Sequence, residues 1–264
     1  VNEGGHWYHP ITGDACHTII GKNGKERSTT LRDAKQEGYL PSVTTITKTL
    51  ASPELDRWKQ QQVLMASLTL PRLPEESDED YCKRIMEDAF KQVDDAADLG
   101  TRIHAAIEAH FQGYAYDPEL KLYVETVERW ANENGVTFLE HEVRLVNREV
   151  GYAGTTDAKI QVKGREGFGT LDFKSRKSRP QYPMKPWPKE PMQIAAYRAC
   201  HGTDYGVNVF VSTTEPGRIE EAWYDPEELD RQYEAFKHVV AIWQHFNNFN
   251  LEEVLAKHEA VLDF

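Results

Sequence analysis

Apolar and polar positions fall into two textures along the chain, helical spacing through the first half and alternation after it. From Ser77 to Gln112, apolar residues recur at Ile85, Ala89, Val93, Ala97, Ile103, Ile107 and Phe111, with few breakers before Gly113. That pattern predicts one long helix. Shorter helices are predicted around Thr30 to Gln36, in "SVTTITKTL" with Ser42 as its N-cap, in "PELDRWKQQQVLMASL" opened by Pro53, and from about Pro118 to Asn134. Turn signals at Pro10, Gly13 and Asn23-Gly24 place a hairpin ahead of them.

Alternation then takes over. "FLEHEVRLVN", "GYAGTTDAKIQV" and, past the turn at Gly164 to Gly167, "FGTLDFKS" read as three consecutive strands. "EPMQIAAYRACHG" returns to helical spacing, and "GVNVFVST" is a short, nearly continuous apolar strand. "IEEAWY" reads as an edge strand, and "PEELDRQYEAFKHVVAIWQHF" as a long amphipathic helix. The predicted fold class is α/β: helix, three-stranded antiparallel meander, helix, strand. An N-terminal hairpin and helical lobe occupy residues 1–95, and the core with C-terminal helices occupies 96–264, the two expected to form one structural unit.

Composition narrows the picture. The 264 residues suffice to bury a sizeable core, and 39% hydrophobic with 11% aromatic content describes an ordinary globular chain. No apolar run approaches the roughly 18 residues of a membrane span and no signal-peptide pattern is present, so a soluble, cytoplasmic monomer without membrane contact is expected. Cys16, Cys82 and Cys200 are scattered, with no C-x-x-C pair to hold zinc or an iron–sulfur cluster. A net charge of -12 argues against coating nucleic acid with the whole surface. The densest positive charge is local, in "DFKSRKSR".

That stretch carries the candidate chemistry. On a strand, Thr170, Asp172 and Lys174 face one way and Leu171 and Phe173 the other. A hairpin with the preceding strand brings Asp157 towards Asp172, and two carboxylates beside a lysine make a hard-cation oxygen site with an adjacent ammonium. Taken alone, a D-x-K on a strand is ordinarily a solvated ion pair. Upstream, His104 and Glu108 share a helical face at i and i+4; downstream, Gln193 and Tyr197 do the same.

In this order, Gly100 to His104 (G-T-x-x-H), Gly154 to Asp157 (G-x-x-D), Asp172 to Lys174 (D-F-K) and Gln193 to Tyr197 (Q-x-x-x-Y) resemble the motif series of the RecB-like exonuclease branch of the PD-(D/E)XK nuclease superfamily. "LPSVTTI", followed by a helix with Leu55 and Trp58, is similar to phage exonucleases and the mitochondrial genome maintenance exonuclease of that branch. The resemblance spans roughly residues 39–212. It implies a restriction-endonuclease-like core and a Mg2+ or Mn2+ ion held by Asp157, Asp172, the Phe173 backbone carbonyl and His104, with Glu108 as an alternative acidic group. It implies that Lys174 orients the attacking water, and that Gln193 and Tyr197 support Lys174 or hold a phosphate. The branch members with an iron–sulfur cluster bracket the core with four cysteines, which this chain lacks, so no cluster is expected. An imidazole ligand suits manganese better than magnesium.

The expected substrate is DNA, single-stranded or with a free end, cleaved by an exonuclease of phage-type replication, recombination or repair beside a recombinase or replication protein. Arg176, Lys177 and Arg179 stand where they can meet its phosphates, extended by Lys185, with Trp187 or Tyr182 to stack on a base. A solvated, proline-stiffened loop reads equally well there. Ser42, Thr44 and Thr45 read as a phosphate cradle or as plain N-capping, and Arg57 and Trp58 as the lining of a strand channel. A structure- or site-specific endonuclease of the same fold, and a non-catalytic DNA-binding module, are the alternatives.

Overall fold

Alternation becomes pairing in the second half of the chain, and helical spacing becomes two layers around it. The computed structural model describes residues 5–259, apart from the side chains at 54, 92–97 and 259, so the side chains of the apolar positions Val93 and Ala97 lie outside what is described. Strands Trp7–Tyr8 (β1), Thr18–Ile20 (β2) and Glu26–Ser28 (β3) precede helix Leu31–Glu37 (α1), and β2 with β3 forms the predicted hairpin. Helix α1 starts at a capping box between Thr30 and Asp33 and ends on Gly38, whose φ of 79° stops the helix. Leu40–Pro41 (β4) then pairs antiparallel with β1, a contact of two residues a side that no periodicity announces.

Helices Val43–Thr47 (α2), Pro53–Thr69 (α3) and Asp78–Phe111 (α4) follow. The predicted long helix is α4, capped by Ser77, whose Oγ accepts from the Asp80 N–H at 3.1 Å. Its outer half packs on α3 through a small cluster of Ala66, Ile85 and Ala89, while its inner half lies on the sheet. The division between residues 95 and 96 falls within this one helix, so lobe and core share it. A 3-10 turn, Pro118–Leu120, leads into Lys121–Glu133 (α5), because the Asp117 carboxylate takes the Glu119 N–H at 3.0 Å and tightens the entry.

Five strands build one sheet in the order Val136–Asn147 (β5), Tyr152–Val162 (β6), Gly169–Arg176 (β7), Tyr205–Ser212 (β8), Ile219–Tyr224 (β9). The first three form an antiparallel meander, β8 lies parallel to β7 after the crossover helix Lys189–His201 (α6), and β9 closes the edge antiparallel. Helices Pro226–Phe246 (α7) and Leu251–Glu259 (α8) follow. This is a mixed α/β fold, a central mixed sheet flanked by helices. It is consistent with the PD-(D/E)XK restriction-endonuclease-like core that the motif series implies.

Every residue of β8 is buried, which explains its nearly continuous apolar run. Val207, Val209 and Val211 pack with Ile103, Ile107 and Trp130 of α4 and α5. On the other face, a Cβ at Gly206 would stand 2.2 Å from Ile194 Cγ2, so only glycine lets α6 settle on the strand. A second cluster of Trp7, Tyr152, Tyr197, Phe236 and Trp243 joins the N-terminal strands, α6 and α7. Each fully buried side chain of this size contributes roughly 1.5–3 kcal/mol, and β6, with Ala158 and Ile160 in the first cluster and Tyr152 in the second, is held from both sides. No helix among the described residues is long and apolar enough to cross a membrane.

Candidate active site

Strands β6 and β7 are paired only from Ala158/Leu171 to Ile160/Gly169 and then part. Side chains replace the ladder at the fork. Thr156 Oγ1 donates to the Leu171 carbonyl at 3.0 Å, and the Phe173 N–H donates to Asp157 Oδ2 at 2.5 Å. Asp157 and Asp172 therefore stand at the mouth of a gap between two strands, where backbone polar groups are already satisfied. Two motif glycines let the surrounding elements approach. A Cβ at Gly154 would lie 2.7 Å from Tyr197 Cε1, and one at Gly100 would lie 2.5 Å from Ser175 Oγ.

From that fork a chain of contacts runs to α6. Lys174 Nζ lies 2.5 Å from Asp172 Oδ2 and donates to Gln193 Oε1 at 3.0 Å, and Gln193 Nε2 donates to the Tyr197 hydroxyl at 2.9 Å. Gln193 and Tyr197 thus sit behind Lys174 rather than at the cleft's edge. On the far side, Asn208 of β8 donates to Asp172 Oδ2 at 3.1 Å and is itself held by the Tyr224 hydroxyl at 2.9 Å. His104, on α4, brings Nδ1 to 3.7 Å from Asp157 Oδ2, its ring edge-on to Phe173.

Charge in this cluster is uneven. Burial pushes the Asp172 carboxyl up to about 6, reinforced by Asp157 and opposed by Lys174. Burial works the same way on Asp157, but His104, Lys174 and the Phe173 N–H outweigh it and hold that carboxyl below its ordinary value. Burial opposes the ammonium of Lys174 too, yet Asp172, Asp157 and Glu190 keep its pKa raised. His104 is likewise raised against burial, by Asp157 and then Asp172. Two carboxyls whose environments drive their pKa values apart are the usual arrangement where one group must stay ionised and its neighbour can exchange a proton.

A residue absent from the sequence-based expectations joins them. Glu142 of β5 sits between the paired residues His141 and Val143, at φ 47°, in the left-handed region. The residue is exposed, yet burial first, then the charges of Asp157, Glu108 and Asp172, push its carboxyl up to about 7, which puts it within electrostatic reach of the cleft acids. In an alternating strand "LEHEVR" it reads as one more solvent-facing acid, so the pattern offers no signal. Asn208 does leave a trace, as the one polar side chain inside "GVNVFV". Glu108 is half-buried, its Oε1 accepting from Gln112 at 3.0 Å.

Among the described residues, no group of three or more His, Cys, Asp or Glu side chains is arranged to hold a metal ion. The chemistry of the donors nevertheless fits a hard divalent cation: Asp157 and Asp172 are oxygen donors crowded together in a buried setting, and Glu142 adds further negative charge that a cation would offset.

The predicted phosphate contacts divide. Arg176 is turned inward, paired with the buried Glu190 and packed 4.7 Å from the Trp187 ring and 4.4 Å from Phe210, so its charge is already spent. Lys177 and Arg179 are exposed, and Lys177 Nζ stands 6.0 Å over the Trp58 ring. Arg57 is exposed on α3. Ser42 caps α2 by accepting the Thr45 N–H at 2.9 Å, and its hydroxyl also meets Thr44 and Thr45 at 2.9 Å. With Thr45 Oγ1 accepting from the His6 N–H as well, these hydroxyls serve the chain's own turn, and α2 has only five residues.

No family model and no curated protein matches the chain. Among solved structures it is similar to the alkaline exonuclease LHK-Exo from Laribacter hongkongensis, at 13% identity over 86% of this chain and 97% of that one, with a TM-score of 0.42. The complex of the same exonuclease with dAMP gives 14% identity, the same coverage and a TM-score of 0.42.

Proposed function

We propose that the chain is a metal-dependent deoxyribonuclease of the RecB-like type, an exonuclease working on single-stranded or frayed DNA ends. The observation that carries this reading is the Asp172–Lys174 pair, 2.5 Å apart, at the fork where Asp157 faces Asp172. Phosphodiester hydrolysis needs charge neutralised on the non-bridging oxygens, an oriented water and a stabilised leaving alkoxide. Asp157, Asp172 and the Phe173 carbonyl would hold the cation, with His104 beside them and Glu108 and Glu142 at the rim; when bound, the cation supplies Lewis acidity at the phosphate. Lys174, held by Gln193 and indirectly by Tyr197, is fixed where its ammonium can orient water and offset developing charge.

Digestion of end-labelled single-stranded, duplex and closed circular DNA in Mg2+, in Mn2+ and in chelator tests this. Linear strands should be shortened in either metal, circles should persist, and chelator should stop all hydrolysis. Hydrolysis that continues in chelator removes the mechanism, and a circle that is cut replaces the exonuclease with an endonuclease. His104→Ala should lose activity in both metals; unchanged rates in both would make His104 a packing residue.

A further inference from the structure

Beyond the last residue of β7 lies a cavity of about 1040 Å³. Leu55 and Trp58 of α3, Lys177 and Arg179 just past the strand, and Tyr182 and Trp187 of the following loop all line it. In a chain with 43 acidic and 31 basic residues, the lining holds four cations, Arg176, Lys177, Arg179 and Lys185, and no carboxylate. We infer that this cavity seats the unpaired bases of a single-stranded DNA end, a reading that rests on the proposed nuclease.

The wall is built. The proline-punctuated loop is pinned at four places: the Tyr182 carbonyl accepts from Arg218 at 2.7 Å, the Met184 N–H donates to Glu220 at 2.8 Å, the Lys185 carbonyl accepts from Arg176 at 2.7 Å, and the Trp187 N–H donates to Glu190 at 2.7 Å. Such a loop is preordered, so binding costs little chain entropy. Its aromatic rings stay available: Tyr182 is 65% exposed and Trp187 47%. Arg176 is used up in bracing Trp187, whereas Lys177, Arg179 and Lys185 have no ion-pair partner among the described residues.

Aromatic faces set among uncommitted cations match a polyanion that also carries flat rings. Paired bases keep their faces stacked on their neighbours and offer nothing to Trp58 or Trp187; a base freed from its stack does. Lys177 follows Lys174 by three residues, roughly 10 Å along an extended chain, so the seat lies close to the nucleotide at the fork.

The wild-type protein in chelator, which blocks cleavage, tests the seat by fluorescence anisotropy with an end-labelled single strand and an abasic strand of equal length. The normal strand should bind about ten-fold more tightly than the abasic one. Trp58→Ala should abolish that difference while melting like wild type, and Trp58→Phe, which keeps a ring, should retain most of it. Equal wild-type affinity for the two strands, with cleavage of linear DNA persisting in metal, overturns the base seat and leaves the nuclease standing. Absence of both binding and cleavage overturns the two together.

Discussion

Lys174 and Lys177 belong to one basic run and have opposite fates. Lys174, like Arg176, faces α6 from within the sheet, and each has a carboxylate of its own, Asp172 and Glu190. Lys177, Arg179 and the later Lys185 lie past the strand's end and have none among the described residues. Under the proposed function, a protein of net charge -12 places cations side by side for two jobs, neutralising its own buried acids and offering unspent charge to a bound strand. What separates the jobs is where β7 stops.

The inward half is the place to expect the largest effect. Lys174→Ala should lower the single-turnover cleavage rate by roughly 10²–10⁴-fold while DNA binding in chelator stays near wild type. The fold should tolerate the change, because Asp172, already pushed up to about 6, can take a proton instead of remaining a lone buried charge. Wild-type rates from this variant would reduce the pair to a structural ion pair and sink the site.

Arg176 sharpens the contrast between a spent cation and a working one. Arg176→Ala leaves Glu190 buried without its partner, and should cost about 3 kcal/mol in chemical denaturation. Replacing both residues by apolar or neutral side chains, as in Arg176→Met with Glu190→Gln, should recover most of that loss, since a buried pair contributes little beyond its own desolvation. If Arg176→Ala is as stable as wild type but binds DNA weakly, Arg176 belongs with the outward group.

Much of this was legible in the sequence because periodicity follows burial. The inner half of α4 lies on the sheet and shows a stripe; β8 is covered on both faces and reads as continuous. Asp157, Asp172, Lys174 and the Gln193–Tyr197 pair could be grouped because motif order and alternation place them on facing elements. Glu142 escaped because its approach to the cleft comes from a single residue with φ 47°, a local backbone choice that alternation hides. Arg176 reads as a phosphate contact in the sequence because its partner, Glu190, lies on a helix beyond a proline-rich loop whose path no pattern predicts. The hydroxyls of Ser42, Thr44 and Thr45 could not be apportioned between capping and substrate without the hydrogen bonds they make to each other and to His6.

The outward half calls for the gentlest measurement. Lys177→Ala and Arg179→Ala remove exposed side chains, so each should change folding stability by no more than about 0.5 kcal/mol. If each side chain neutralises one phosphate of a bound single strand, it releases counterions on binding, and its loss should reduce the slope of log affinity against log salt by about 0.7. The double variant should lower the slope by roughly twice that amount, with the cleavage rate at saturating DNA unchanged, because neither group touches the fork. Titrating affinity between low and moderate salt separates the two descriptions of the run. A slope that stays at the wild-type value in the double variant makes Lys177 and Arg179 a solvated exit from the sheet, and leaves the cavity's aromatic walls without a phosphate grip beside them.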